Sequence, residues 1–270
     1  MMNVSASASG GTYAYGVYNL SSSSTMKGVS ATASGGTYRN FGVYNNSASP
    51  TMTDVTASAT GVTDANVGVD NQSASPTMTN VVVIASGGTD NYGVYNEASA
   101  APTMTNVTAN VTTTASGNTN TYGVYNTAAS PVMTNVKVSA SGATWNRGVA
   151  NYSSSLTMTE LTATVSGGND SYGVWNDSSS VVIQNSVINA SSAGYSNDGI
   201  HSTASSGAFT ITIDASQITG INSTIIDESG YYTTMIGASE INGGGVFGSG
   251  AYKCVASYDE NYDPLDPTCH

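Results

Sequence analysis

Apolar and polar residues alternate along this chain in short segments, and the same segments return about every 25 residues. One repeat contains Thr51-Met52-Thr53, then Val55-Thr56-Ala57-Ser58-Ala59, then Val67-Gly68-Val69-Asp70-Asn71. Alternation with a period of two is typical of a β-strand that buries one face. Three short strands in each repeat of this length predict one coil of a β-solenoid.

The glycine of the phrase Tyr15-Gly16-Val17-Tyr18-Asn19 sets the register of the repeats. It returns at Gly42, Gly68, Gly93, Gly123, Gly148, Gly173 and Gly199. The steps are 25 or 26 residues, except for one step of 30 residues in which Val111-Thr112-Thr113-Thr114-Ala115 adds length. An insertion that leaves neighbouring repeats in register is typical of solenoids, because each coil contacts only its neighbours.

Three positions of the repeat never become polar, so we expect them to face a dry interior. The first column is Met26, Met52, Met78, Met104, Met133, Met158 and Ile183. The second column is Val29, Val55, Val81, Val107, Val136 and Leu161. The third column is Val17, Val43, Val69, Val94, Val124, Val149, Val174 and Ile200. With strands stacked about 4.8 Å apart, nine or ten coils predict a rod roughly 45 Å long.

Asparagine and glycine mark the expected bends. Asparagine tolerates the left-handed backbone of a bend, and stacked asparagines can hydrogen-bond along a ladder. In four repeats the residue after the first strand is asparagine: Asn80, Asn106, Asn135 and Asn185. Glycine supplies the positive-φ site of the next turn. It stands there in the pairs Ser34-Gly35, Ser86-Gly87, Ser116-Gly117, Ser141-Gly142 and Ser166-Gly167.

The sequence therefore predicts an all-β, right-handed parallel β-helix with three strands per coil and 25–26 residues per coil. We expect the repeats to cover residues 1–215, and residues 216–270 to form divergent last coils and a C-terminal tail or cap. The phrases Tyr-Gly-Val-Tyr-Asn and Thr-Met-Thr-Asn-Val resemble the repeats of the pectate-lyase-like superfamily over residues 3–215. That resemblance implies the fold but no one activity, because the superfamily includes lyases, hydrolases, phage tailspikes and non-catalytic surface proteins.

The tail, from Ile236-Gly237-Ala238-Ser239 to Tyr258-Asp259-Glu260-Asn261-Tyr262, resembles the end of uncharacterised bacterial repeat proteins. This resemblance implies a surface location and no chemistry. The acidic residues of the tail form either a calcium site or a solvated loop: Asp259, Glu260, Asp263 and Asp266. The loop is favoured, because the spacing of these residues does not match an EF-hand. We expect no metal and no cofactor.

Charge excludes several classes of partner. Charged residues make up 8% of the chain, with 5 Lys+Arg against 17 Asp+Glu and a net charge of −12. Nucleic acid and anionic membranes are bound through many basic contacts, so neither is an expected partner. No apolar run reaches the roughly 18 residues of a membrane span, and no signal peptide is visible. The chain opens inside a repeat, which we interpret as a cut end, a fragment or a misassigned start.

Two cysteines bear on location. Cys254 and Cys269 both lie in the last segment, where a disulfide between them would close a tail loop and imply an oxidising compartment. The alternative is two free thiols in a cytosolic protein. We expect the disulfide, and with it an extracellular or cell-surface location.

The sequence does not predict an enzyme. Asn197-Asp198-Gly199-Ile200-His201 resembles a fragment of the aspartate motif of polygalacturonase-like hydrolases, but the other parts of that motif are missing. Asp198 and His201 stand at positions held by tyrosine and tryptophan in other repeats, which favours outward polar substitutions. Only two histidines and five scattered basic residues are available for acid–base work.

A structural role is the favoured hypothesis. The two ends of a β-helix expose unpaired backbone groups, which proteins normally cover. The first repeat shows no polar cap, so its end is expected to dock on the C-terminal region of another copy and build a head-to-tail filament. An upstream domain in the same place is the competing interpretation.

Two alternatives use the faces of the rod. Tyr18, Tyr44, Tyr95, Tyr125 and Trp175 are expected on the outward side of the third strand, where they could bind glycans, contact another rod, or stack on one another between coils. A second row, near the corner, is Tyr15, Phe41, Tyr92, Tyr122 and Tyr172. Ice binding is the third hypothesis, from Thr51/Thr53, Thr77/Thr79, Thr103/Thr105 and Thr157/Thr159, although Lys27, Val132, Val182 and Gln184 break the pattern.

Overall fold

The chain winds into a parallel β-solenoid of about nine turns, as seen in a computed structural model that describes residues 1–61, 64–191 and 194–269. The strands are, in chain order, β1 (Ser5–Ser9), β2 (Tyr13–Leu20), β3 (Thr25–Lys27), β4 (Ser30–Ser34), β5 (Arg39–Asn46), β6 (Thr51–Thr53), β7 (Thr56–Thr60), β8 (Ala65–Gln72), β9 (Thr77–Ser86), β10 (Asp90–Glu97), β11 (Thr103–Thr112), β12 (Asn120–Thr127), β13 (Val132–Thr134), β14 (Lys137–Ser141), β15 (Trp145–Tyr152), β16 (Ser155–Thr159), β17 (Thr162–Ser166), β18 (Asp170–Asp177), β19 (Ser180–Gln184), β20 (Val187–Ser191), β21 (Ser196–Thr203), β22 (Phe209–Asp214), β23 (Gln217–Gly220), β24 (Ser223–Asp227), β25 (Tyr232–Gly237), β26 (Glu240–Gly243), β27 (Val246–Gly248), β28 (Ala251–Val255) and β29 (Tyr258–Asp259).

The strands stack into three parallel ladders. The first ladder contains β3, β6, β13, β16, β19, β22, β25 and β28, and the second contains β1, β4, β7, β14, β17, β20, β23, β26 and β29. Two longer strands, β9 and β11, run through both of these ladders. The third ladder contains β2, β5, β8, β10, β12, β15, β18, β21, β24 and β27. The predicted β-helix with three strands per coil is confirmed, and the described residues contain no helix long and apolar enough to cross a membrane.

Equivalent residues of successive coils stand directly opposite one another. Met78 pairs with Met104 and Met104 with Met133, and all three side chains are at most 1% exposed. The first column continues beyond Ile183 through Ile213 and Ile236 to Cys254. The three apolar columns therefore form one continuous core, as the sequence predicted.

The repeated glycine of the third ladder is required by close packing. A Cβ atom on Gly123 would lie 1.8 Å from Cγ1 of Val138 and 2.6 Å from the backbone oxygen of Gly148. The chain therefore passes close to the second ladder here, and the alternation of the strand is interrupted. As a result Tyr92 and Tyr95, which flank the glycine and the buried Val94, both lie on the outer face. The sequence had placed Tyr92 near the corner.

Asparagine side chains form hydrogen-bonded ladders along the rod. The predicted corner ladder is present in three coils: Asn106 donates to Asn80 at 3.1 Å, and Asn135 donates to Asn106 at 2.8 Å. Asn185 has the same positive φ, near 50°, but Glu160 separates it from these three. A second ladder, which the sequence reasoning missed, is buried inside the third ladder and uses the last residue of the Tyr-Gly-Val-Tyr-Asn phrase. Its members each donate an amide hydrogen to the next at 2.8–2.9 Å: Asn19, Asn45, Asn71, Asn96, Asn126, Asn151 and Asn176.

Residues 216–255 continue the same three ladders with shorter strands. Beyond them the tail folds back over the last coil. The backbone N–H of Cys254 donates to the carbonyl of Pro267, and that of Leu265 donates to Ser257. Cys254 and Cys269 form a disulfide bond, and both are buried. The tail therefore closes the first and second ladders at this end.

Candidate functional site: the aromatic face and the two ends

The outer face of the third ladder carries two columns of aromatic side chains, which we call the aromatic face. The column before the glycine contains Tyr15, Phe41, Val67, Tyr92, Tyr122, Arg147, Tyr172 and Asp198. The column after the buried valine contains Tyr18, Tyr44, Asp70, Tyr95, Tyr125, Ala150, Trp175 and His201. All five expected site residues, Tyr18, Tyr44, Tyr95, Tyr125 and Trp175, thus stand in one column.

Most of these rings are covered by one another. Tyr92 and Tyr122 stack with centroids 4.9 Å apart and planes at 5°, while Tyr95 and Tyr125 meet edge to face at 4.9 Å. Among the five expected site residues, Tyr18 alone is clearly exposed, at 50%, and the other four are half-buried. Ring-to-ring packing therefore covers most of the surface of these five rings, and Tyr18 keeps the largest free surface.

Burial affects the ionisation of these tyrosines. Burial, together with the neighbouring Tyr152, raises the pKa of Tyr125 to about 12. For Tyr44, burial and the nearby Asp70 raise the pKa to about 12. Both phenols thus stay protonated well above the range where a free tyrosine ionises.

Asp70 interrupts the tyrosine column in the third coil. Its side chain is 3% exposed, and one carboxylate oxygen has no hydrogen-bond partner. Burial and the nearby Glu97 raise the pKa of Asp70 well above its usual value, while Arg39 acts in the opposite direction. The position therefore favours the neutral acid, which costs less to bury than a carboxylate.

Arg147 interrupts the other column and fills the gap with its guanidinium. That group lies 5.3 Å from the ring centroid of Tyr122 and 5.0 Å from that of Trp175, and Nη1 donates to the Tyr122 hydroxyl at 3.2 Å. Cation–π contact on both sides makes Arg147 part of the stack. The aromatic face therefore holds Arg147 in place.

The fragment that resembled a hydrolase motif is packed against the end of the aromatic face. His201 stacks on Trp175 at 4.3 Å, and its Nδ1 lies 2.9 Å from Oδ2 of Asp198. Asp198 also accepts a hydrogen bond from the hydroxyl of Ser196 at 2.8 Å. Asp198 pairs with Tyr172 and His201 pairs with Trp175, which is the register that the sequence predicted. Only 2% of Asp198 and 5% of His201 is exposed, so both residues are buried in the stack and are not in contact with bulk solvent.

The first ladder presents threonines on both sides of its methionine column. Thr51, Thr77 and Thr103 are in register on one side, and Thr53, Thr79, Thr105, Thr134 and Thr159 are in register on the other. Val132 interrupts the first of these columns, and Val182 and Gln184 end both. This arrangement is the aligned hydroxyl surface on which the ice-binding hypothesis depends.

The two ends of the rod carry most of the exposed large apolar side chains. Among the residues that the structure describes, seventeen are of this kind; seven lie within residues 1–38 and six within residues 221–262. Those at the N-terminal end are Met1, Met2, Val4, Tyr13, Tyr18, Leu20 and Tyr38. Those at the C-terminal end are Ile221, Tyr231, Met235, Phe247, Val255 and Tyr262. Exposed apolar side chains concentrated in this way are typical of contact surfaces.

Charge is divided between the same two ends. Residues 1–53 contain Lys27 and Arg39 and no acidic residue, whereas residues 198–270 contain nine Asp and Glu and one lysine. The described residues contain no cluster of three or more His, Cys, Asp or Glu side chains arranged to hold a metal ion. The rod is therefore basic at its start and strongly acidic at its end.

No protein-family model matches this chain, and no curated protein is significantly similar to it.

Proposed function

We propose that this chain is a non-catalytic structural protein of the cell surface or extracellular space, and that copies of it associate head to tail. The observation that carries the proposal is the pair of unlike ends: one basic and one acidic, both rich in exposed apolar side chains. Unlike ends attract and like ends repel, so charge selects a heterologous contact. Such a contact does not close on itself and yields a filament.

The remaining features support the same proposal. The disulfide between Cys254 and Cys269 suits an oxidising compartment. His201 and Asp198, the pair that resembled a hydrolase motif, are 5% and 2% exposed, and His201 is covered by Trp175, so a substrate has little access to them. We also propose that the chain is related to the pectate-lyase-like superfamily. The three-stranded coils support this relationship.

Sedimentation velocity tests the association. At about 0.02 M salt we expect species larger than the monomer whose share grows with concentration, and at 0.5 M salt we expect mostly monomer, because exposed charges are screened. The variant Glu260→Lys/Asp263→Lys reverses two exposed charges of the tail and should remain monomeric at low salt. Mixing this variant with a second variant that carries Lys27→Glu should restore assembly between the two, because the facing charges are again opposite in sign.

A matched control separates end charge from total charge. Asp64→Lys/Glu160→Lys makes the same change in net charge at exposed positions in the body of the rod, and it should assemble as the wild type does. If both double variants lose assembly equally, or if both still assemble, the contact does not lie between the ends.

A second candidate function is glycan binding at the exposed part of the aromatic face. The observation in its favour is Tyr18, which leaves half of its surface free beside Tyr15 at 5.2 Å. Tyrosine faces bind sugar rings by stacking. The wild-type protein should then bind glycans on an array, and the Tyr18→Ala variant should lose this binding. The control Tyr195→Ala removes an exposed ring outside the aromatic face and should keep the binding.

A further inference from the structure

One ring nitrogen of His201 is buried without a hydrogen-bond partner. Nδ1 lies 2.9 Å from Oδ2 of Asp198, whereas Nε2 has no partner. Buried polar atoms are normally hydrogen-bonded, so such an exception calls for a physical explanation. The carboxylate oxygen Oε2 of Glu228 lies 3.6 Å from Nε2, which is too long for a hydrogen bond.

Asp198 determines which ring nitrogen carries the hydrogen. Its Oδ2 already accepts a hydrogen bond from the Ser196 hydroxyl at 2.8 Å. A carboxylate only accepts, so Nδ1 of His201 is the donor in the contact with Asp198. The neutral imidazole then has its lone pair on Nε2. This lone pair and the carboxylate of Glu228 are both acceptors, so they repel each other unless a cation lies between them.

The separation of the two acceptors indicates which cation fits. A proton shared between an imidazole and a carboxylate holds the nitrogen and the oxygen about 2.7–2.9 Å apart. A tetrahedral metal ion bound about 2.0–2.1 Å from each atom holds them about 3.3 Å apart. The observed 3.6 Å is nearer to the second value. The Glu228 side chain is 56% exposed, so it can close the remaining difference, and an ion can enter from its side.

The surrounding contacts hold both groups in position for a metal ion. Trp175 stacks on the imidazole with ring centroids 4.3 Å apart and planes at 7°. A carboxylate behind the other ring nitrogen, as Asp198 provides here, is the usual means by which proteins orient a metal-binding histidine. The backbone N–H of Glu228 donates to Ser202 at 3.0 Å, which fixes its backbone beside β21.

We propose that Nε2 of His201 and the carboxylate of Glu228 bind one divalent transition-metal ion, with Asp198 orienting the imidazole. Imidazole and carboxylate ligands together suit Zn²⁺, Cu²⁺ and Ni²⁺. The site has two protein ligands, and water fills the remaining positions. The ion ties β21 to the segment after β24, so it links successive coils of the third ladder. The sequence predicted no metal ion, because only the fold brings these two ligands together.

Quenching of tryptophan fluorescence by Cu²⁺ tests the site, because an ion on Nε2 of His201 would lie beside the stacked ring of Trp175. The chain has one other tryptophan, Trp145. In metal-free protein we expect saturable quenching by one equivalent of Cu²⁺, and Zn²⁺, which does not quench, should reverse it. Glu228→Gln and His201→Asn should each raise the dissociation constant for Cu²⁺ about tenfold or more. Glu228 is exposed, so its variant should fold even if the variant of the buried His201 does not.

Two matched variants control for binding elsewhere on the chain. Glu160→Gln removes another exposed carboxylate, and His270→Asn removes the only other histidine, and neither should change the dissociation constant. Titrations at about 0.5 M salt keep the ends of the rods screened, so the outcome does not depend on head-to-tail association.

Three results would overturn the metal site. The first is an absence of saturable quenching, and the second is quenching that Glu228→Gln leaves unchanged. The third is quenching that His270→Asn abolishes. If no metal ion binds, but acidification from about pH 7.5 to about pH 5 changes the fluorescence of the wild type and not that of Glu228→Gln, a proton occupies the place between the two acceptors.

Discussion

The buried asparagine ladder gives the sharpest prediction about stability. Asn96 accepts a hydrogen bond from Asn71 and donates one to Asn126, each at 2.8 Å, and all three residues are fully buried. Asn96→Ala removes both bonds and leaves the amide of Asn71 and the carbonyl oxygen of Asn126 buried without a partner. Each buried group without a partner costs about 1–3 kcal/mol, so for the two groups we expect a loss of about 2–6 kcal/mol.

Urea unfolding followed by far-UV circular dichroism measures this loss. Because a solenoid can unfold in parts, hydrogen exchange of the coils around residue 96 should accompany it. The matched control is Asn110→Ala, which makes the same change at an exposed position of β11 and should alter stability by less than about 0.5 kcal/mol. Equal losses for the two variants would refute the reasoning, because the ladder would then contribute nothing beyond a surface amide.

Three further predictions concern packing, pH and the tail. Gly123→Ala should destabilise the rod by about 3 kcal/mol in urea unfolding through overpacking, whereas Gly194→Ala, with no atom nearer than 3.6 Å, should be nearly neutral. The raised pKa of Tyr125 favours the folded state while the phenol is protonated, so stability should be constant below about pH 10 and fall toward pH 12, as pH-dependent unfolding would report. Cys254→Ser/Cys269→Ser opens a loop with a sequence separation of 15, which costs about 3 kcal/mol and should make the tail the first site of limited proteolysis.

The sequence was sufficient for the fold because the core is periodic. Met52, Met78 and Met104 never give way to a polar residue, and a column that stays apolar over many repeats can only point inward. The bends after the first and second strands were also predictable, since Asn80 and Gly87 belong to the residue types that accept positive φ at low cost. The bend after the third strand was not, because serine or alanine, as at Ser47 and Ala128, adopts positive φ there.

The buried asparagines were missed because polarity was read as exposure. Asn96 and its equivalents vary as little as the methionines, and that constancy was the available signal. A side-chain amide both donates and accepts, so identical amides stacked one coil apart satisfy one another in a dry interior. A polar residue that never changes along a solenoid is therefore as informative as an apolar one.

Other features could not come from the pattern. Asp70 occupies an outward position, and its burial arises from the larger rings of Tyr44 and Tyr95 on the neighbouring coils. The path of the tail is not periodic, so the sequence predicted a cap or a loop but not which ladders it covers.

The length of particles in negative-stain electron microscopy tests the central claim of end-to-end association most directly. The third ladder has ten strands about 4.8 Å apart, so a single rod is about 45 Å long. At low salt and rising protein concentration, we predict rods of uniform width whose lengths cluster at multiples of this value. Particles that keep a single length at every concentration, or that grow in width instead, would contradict head-to-tail assembly.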